Sequence, residues 1–200
     1  AKPAPPPAAR GGQVDHANLM PLMNTPFAPG HCRQTVQAMP PGPRRDIAMA
    51  EYYYFTGHPA QAARAAEPYL TSPDMGLHLS ACLIYAYASL SLKRAQRAKF
   101  ALGELNASLA SAGAQVPRFR AAAAFVAFAG TVLLHLPLPE EIPQVESFLP
   151  LLPPGLRAFA LYVQAHYLYL KKEYAHSAGM VEATLAMGAS AYPISAIYLH

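Results

Sequence analysis

Apolar positions recur along most of this chain at the three- and four-residue spacing of helices, and no alternating stretch of useful length predicts a strand. The predicted helices come in pairs: about 45–56 with 59–71, 74–90 with 93–112, 117–136 with 139–149 and 155–171 with 173–187, with a further start at 191–200. Pro117, Pro139 and Pro193 stand where helices begin, and Gly113, Gly155 and Gly188 where they end, the asymmetry expected of helix termini. Glu140 and Glu141, directly after Pro139, complement the positive end of a helix dipole. In the second pair an apolar row of Ala95, Ala98, Leu102, Leu105 and Leu109 lies opposite Lys93, Arg94 and Arg97, the signature of an amphipathic helix. The fold class is therefore all-α. Residues 1–43 differ in kind: PAPPP, PLMNTPFAPG and MPPGP predict an extended, partly disordered segment. Leu19, Met20, Leu22, Met23 and Phe27 are apolar enough to be pinned onto the first helices from about residue 17 onward.

The stretch from Asp46 to Leu92 organises the rest. Tyr53 stands four residues before Gly57 and nine before Ala62, with Leu70 eight further on and a Ser-Pro-Asp break at Ser72 to Asp74. Gly57 supplies a backbone that tolerates positive φ at a helix end, and Pro59 suits the first turn of the next helix. Ala50 and Ala62 are small enough to let the two helices approach closely. An aromatic, a glycine and an alanine at these intervals, in a unit of roughly 34 residues, form a loose tetratricopeptide pattern. The inter-helix turns expected at Gly57, Lys93 and Lys172 lie 36 and then 79 residues apart, one step and then two of about 40 each. A right-handed solenoid of about four tetratricopeptide-like helical hairpins over 44–200, behind a proline-rich N-terminal extension, is the predicted architecture. Its last segment, YPISAIYLH, lacks the polar outer face that closes such an array. The domain is thus expected to be incomplete at that end and to dimerise or aggregate through Ile194, Ile197, Tyr198 and Leu199.

Composition changes this picture little. Of 200 residues, 53% are hydrophobic and 13% charged, but much of the apolar content is alanine, which favours close-packed helices. The windows 75–92 and 121–138 contain no Asp, Glu, Lys or Arg, the length at which a membrane span must be considered. Each holds a histidine, polar residues or Gly and Pro interrupt them, and each is followed by a polar or proline-bearing partner segment, so no membrane contact is expected. The chain opens AKPAPPPAARGGQ, without the apolar core of a signal peptide. Its two cysteines, Cys32 and Cys82, suggest no disulfide framework, so a reducing, cytoplasmic setting is expected. The net charge of +4 is scattered, and its densest cluster, Lys93, Arg94, Arg97 and Lys99, reads as the solvated face of a helix.

Candidate chemistry is sparse. The eight histidines form no HExxH or paired ligand motif, so no metal and no cofactor are expected. Glu140 and Glu141 are consecutive and cannot face one another across a substrate, and neither a glycine-rich phosphate loop nor GxSxG is present. The chain is not expected to be an enzyme. His166, Tyr169 and Tyr162 are more simply packing residues with polar tips than a pocket. Tyrosines concentrate on the first helices of the hairpins, which line the concave side of such a solenoid. Tyr53, Tyr54, Tyr85, Tyr87 and Tyr162 are accordingly the candidate groove residues for a ligand or partner.

The run AEYYYFTGHPAQAARAAEPYL followed by LSACLIYAYASLSL resembles the region upstream of the DNA-binding module in LuxR-type bacterial transcriptional regulators, across about residues 40 to 110. The resemblance implies a tetratricopeptide-like sensor or interaction region, binding a protein, a peptide or a small effector. DNA contact would fall to a C-terminal helix-turn-helix absent from this chain. A free-standing repeat adaptor with a peptide in its groove is the alternative.

Overall fold

A computed structural model describes residues 13–22, 28–112, 115–134, 150 and 154–186. Among these the regular structure is helical: α1 (Pro29–Ala38), α2 (Pro43–Phe55), α3 (Pro59–Ala66), a 3₁₀ turn Glu67–Tyr69, α4 (Met75–Ser91), α5 (Ala95–Ala112), α6 (Pro117–Leu133), α7 (Pro154–Leu170) and α8 (Tyr174–Ala186). No helix of the described residues is long and apolar enough to cross a membrane.

Five of the eight helices open on proline, where the missing N–H would have no intrahelical partner. α4 instead starts on Asp74, whose side chain accepts from the Leu77 N–H at 2.8 Å, satisfying one of the donors left free at a helix start. Three of the expected helix pairs, and the first helix of the other, recur with three adjustments. The second helix of the first pair gives way at Ala66 to the 3₁₀ turn, because Pro68 cannot donate to a carbonyl four residues back. Gly155 lies in the first turn of α7 instead of closing a preceding element. Residues 93 and 94, expected within the next helix, belong to the turn before α5. The expected elements at 139–149 and 191–200, together with Gly113, Gly188, Pro139, Pro193, Met23 and Phe27, lie outside the described residues.

The N-terminal region departs further from expectation. Pro29–Ala38 is a ten-residue helix within the segment expected to be extended. Its prolines bracket it: Pro29 occupies the first turn, and Met39, held extended at φ −72 and ψ 140 before Pro40, ends it, as the residue before proline should. Leu19, Met20 and Leu22 are buried as expected, and Val14 joins them.

One turn joins the helices of three hairpins. Gly57, Lys93 and Lys172 all adopt positive φ, at 78, 55 and 65°. In each, the following N–H reaches back five residues to a carbonyl: His58 to Tyr53 at 2.8 Å, Arg94 to Ser89 at 2.8 Å and Glu173 to Leu168 at 2.9 Å. This is the left-handed closure that satisfies the last carbonyls of a helix. Seven residues before these turns stand Ala50, Ala86 and Ala165, and five after them Ala62, Ala98 and Ser177, all buried. Small side chains on both sides of each turn let α2 approach α3, α4 approach α5 and α7 approach α8. In the last hairpin the Ser177 hydroxyl donates to the Ala165 carbonyl at 2.8 Å.

α4 is the axis of the packing. It meets α2, α3, α5 and α6, and every residue from Met75 to Leu90 is buried, as an almost uniformly apolar helix requires.

Candidate interaction surface

Residues 13–22 contribute the fifth wall around α4. This N-terminal strap runs over the helices without regular structure, and its main chain is held by side chains far away in sequence. The Val14 N–H donates to Gln115 Oε1 at 3.0 Å, the Met20 N–H to Ser80 Oγ at 2.8 Å and the Leu22 N–H to Glu51 Oε2 at 2.8 Å. Asn18 Nδ2 donates to Asp74 Oδ2 at 3.1 Å. The Ser80 hydroxyl lies 3.1 Å from the Asn18 carbonyl and 2.7 Å from that of Gly76. Gly76 makes the approach possible, since a Cβ there would stand 2.5 Å from the Asp15 carbonyl oxygen. Backbone approach of this kind is a use to which glycine is suited. Val14, Leu19, Met20 and Leu22 insert their side chains beside these bonds and are at most 8% exposed.

Glu51 sits under the strap, wholly buried. Burial pushes its carboxyl well above the usual range, against the opposing effect of the Leu22 N–H, because low dielectric disfavours the ionised form. Its Oε1 has no hydrogen-bond partner among the described residues. On α1, burial pushes the nearby Cys32 thiol up as well, with the Glu51 charge adding to it, so this buried thiol is disfavoured as a nucleophile.

A second buried polar group, His78 on α4, ties the first hairpin to the second. Its Nδ1 lies 2.7 Å from the Leu70 carbonyl, which can only accept, so Nδ1 carries the proton; Nε2 then accepts from the Ser108 hydroxyl at 2.8 Å. Both nitrogens are satisfied in the neutral ring. With His78 fully buried, this arrangement is a structural tie with no access for substrate. Among the described residues no group of three or more His, Cys, Asp or Glu could hold a metal ion.

The five candidate tyrosines divide. Tyr54 and Tyr87 stack on each other across α2 and α4, their ring centroids 5.1 Å apart, and both are buried. Tyr85 is buried too, with only its phenol tip reaching Arg97, at 3.4 Å, and Glu67, at 3.5 Å. These three fill space between helices and do not line an open groove, which corrects the expectation for them. Tyr53 and Tyr162 remain half-buried. Tyr53 lies 6.4 Å from the His58 ring, and Tyr162 stacks on His166 at 6.3 Å, on a different hairpin. Beyond them Tyr169 and Tyr174, 59% and 58% exposed, meet edge to face at 5.6 Å. Between α7 and α8 lies a shallow open recess of about 420 Å³, lined by Gln164, Leu168, Ala175, His176, Gly179 and Met180.

Sequence reasoning missed Glu51, Ser80 and Gln115. The available signal was the polar residues inside otherwise apolar helical faces, Glu51 between Ala50 and Tyr54 and Ser80 within LHLSACL. Lys93, Arg94, Arg97 and Lys99 are exposed, as a solvated helix face should be. Comparison with family models, with curated proteins and with solved structures gave no match.

Proposed function

We propose that the chain is a polypeptide-interaction domain, a right-handed solenoid of about four tetratricopeptide-like hairpins that holds an extended segment of a protein partner against the first helices of its hairpins. The recurrence of one turn and one pair of small residues in three hairpins supports the solenoid. The observation that supports a binding role is the strap, a stretch of consecutive turns without helix or strand, seated on α2 and α4 through its own backbone N–H groups. Main-chain hydrogen bonds to a partner segment combined with sites for its side chains are a known way of taking a peptide. The buried histidine and glutamate are tied into packing, which leaves polypeptide recognition as the role best supported. Panning a random library of peptides roughly ten residues long against the full chain tests this reading. Extended, aliphatic-rich peptides are expected to be enriched, and enrichment no greater than on an unrelated helical protein would overturn it.

A regulatory setting is favoured by the resemblance of residues 50–70 and 79–92 to LuxR-type regulators. In that setting the chain is the sensor or interaction region, cytoplasmic, and answers a protein, peptide or small effector. DNA contact then belongs to a helix-turn-helix outside these 200 residues. The chain itself is expected to have no sequence-discriminating DNA affinity, since none of its described helices presents a row of Arg, Asn or Gln to read a major groove. Mobility shifts that discriminate between DNA sequences at physiological salt would overturn this expectation.

A further inference from the structure

The three hairpins that share one turn also share a register, so their positions can be matched by counting from Gly57, Lys93 and Lys172. Three residues before the turn stand Tyr54, Leu90 and Tyr169, and nine after it Ala66, Leu102 and Val181. In the first two hairpins a helix of the following unit lies over these positions. Tyr54 is buried and stacked on Tyr87 of α4, and Ala66 is fully buried where α3 packs on α4. Gly130 of α6 comes so near Leu90 and Leu102 that a Cβ there would stand 3.8 and 3.1 Å from their methyl carbons. In the last hairpin the same face is open, with Tyr169 59% exposed and Val181 half-buried. Thirteen residues after the turn, Leu70 is 8% exposed and its carbonyl accepts from His78 of α4, whereas Leu185 is 41% exposed. A face that takes a helix twice within the chain thus occurs a third time, aromatic and aliphatic as before, with no described helix over it.

The spacing along α8 says which helix fits there. Tyr174, Ala178, Val181 and Leu185 recur at intervals of four, three and four residues, which puts them on one side of the helix. The series reads the same in both directions. A second copy of α8 laid antiparallel therefore sets Tyr174 opposite the partner's Leu185 and Ala178 opposite the partner's Val181. From α7, Tyr169 meets Tyr174 edge to face at 5.6 Å, so both rings close on the partner's Leu185, and a two-fold axis repeats every contact at the other end. No charged side chain lies in the seam, so its burial leaves no ion without water, and Lys172, Glu173 and Glu182 stay exposed around it. Independently of the peptide-binding role above, we propose that this face is a homodimer interface, in which α8 packs antiparallel on the partner's α8 and α7 of each copy lies alongside in a four-helix arrangement. With so short a seam the association is weak and reversible, with a dissociation constant on the order of 10–100 µM.

Sedimentation velocity of the full 200-residue chain between about 1 and about 500 µM tests this, with a monomer–dimer transition expected inside that range. Two variants change exposed side chains at the two ends of the seam, Tyr174→Lys and Leu185→Glu, and each is expected to raise the dissociation constant at least about tenfold while keeping the helical circular dichroism. Mixed in equal amounts they should recover a dimer. In the mixed pair the introduced lysine faces the introduced glutamate at one end, and the original tyrosine and leucine meet at the other. A chain that stays monomeric throughout would overturn the proposal and leave the face to a helix of another origin. A dimer that neither substitution weakens would place self-association elsewhere on the chain and overturn it as well. So would a mixture no tighter than its two components, since only an antiparallel two-fold contact pairs these positions. Should Tyr174→Lys lose its helical circular dichroism, Tyr169→Lys, directed at the same residue of the partner, takes its place in the mixture.

Discussion

The second hairpin, α4 with α5, and the last, α7 with α8, are built on one plan and finished differently. Both turn on a lysine in the left-handed conformation, Lys93 and Lys172, and both place a small residue on either side, Ala86 with Ala98 and Ala165 with Ser177. Around α4 every face is covered, by α2, α3, α5, α6 and the strap. α8, in contrast, buries only Ser177 and Thr184 and leaves Tyr174 and Leu185 exposed. Local geometry is thus the same in both, while burial depends on what arrives from elsewhere in the chain. Stability should therefore concentrate around α4, and the last hairpin should tolerate change.

The most damaging way to probe this contrast is in the core. Leu83→Ala, at a position fully buried on α4, is expected to cost about 2–5 kcal/mol, whereas Leu185→Ala, 41% exposed on α8, should stay within about 0.5 kcal/mol. Urea midpoints of the two variants decide, and equal losses would break the comparison. Next, the glycines of the two regions should respond with opposite signs. Gly76→Ala drives a Cβ into the Asp15 carbonyl and should destabilise by about 1–3 kcal/mol as the strap is pushed off. Gly179→Ala adds a methyl group to α8 with nothing within 4 Å and should stabilise by about 0.5–1 kcal/mol. Thermal unfolding of the pair reads both signs.

Glu51 makes the covered region sensitive to pH. Its folded value is raised from the ordinary 4.5, so above that pH the native state holds a proton that the unfolded chain has lost. Stability contributed by the neutral carboxyl is full below about 4.5 and falls as pH rises through the window up to the raised value, by about 1.4 kcal/mol per pH unit. The groups facing it are the Leu22 N–H from the strap and the Cys32 thiol from α1. Glu51→Gln keeps the acceptor and cannot ionise, so it should remove this slope. Urea midpoints at about pH 5 and about pH 7 that fell as steeply in the variant would overturn the assignment. The smallest effect is expected at the turns. Lys93→Gly and Lys172→Gly relieve a left-handed residue at the cost of a looser unfolded chain and should each stabilise by about 0.5 kcal/mol. Unequal responses would mean that the two turns are not the same device.

The helices and their turns were legible because their signals are local. Gly57, Lys93 and Lys172 could be placed from spacing alone, and Ala50 with Ala62 marked the close approach of α2 and α3, since helical periodicity and chain reversal are written within a dozen residues. Pro29 and Pro40 mislead at α1 because a proline density that excludes long helices still admits a short one, with proline at its first turn and another beyond its end. Among the tyrosines, spacing put Tyr54, Tyr85 and Tyr87 on first helices correctly, yet a tyrosine fits a packed interface and an open groove equally well by composition. Only the stacking of Tyr54 on Tyr87 and the enclosure of α4 sent them inward.

By itself, then, the sequence determined that the chain is all-α, where most of its helices turn, and which small residues let paired helices meet, because each of these follows from backbone sterics and periodicity over neighbouring residues. Tertiary structure alone decided that Val14 would reach Gln115, Met20 would reach Ser80 and Leu22 would reach Glu51, across 101, 60 and 29 residues of chain. No local pattern encodes such pairings. A lone serine or glutamate in an apolar run reads as an anomaly until the segment that supplies its hydrogen bond, and removes it from water, is brought alongside by the packing of everything between.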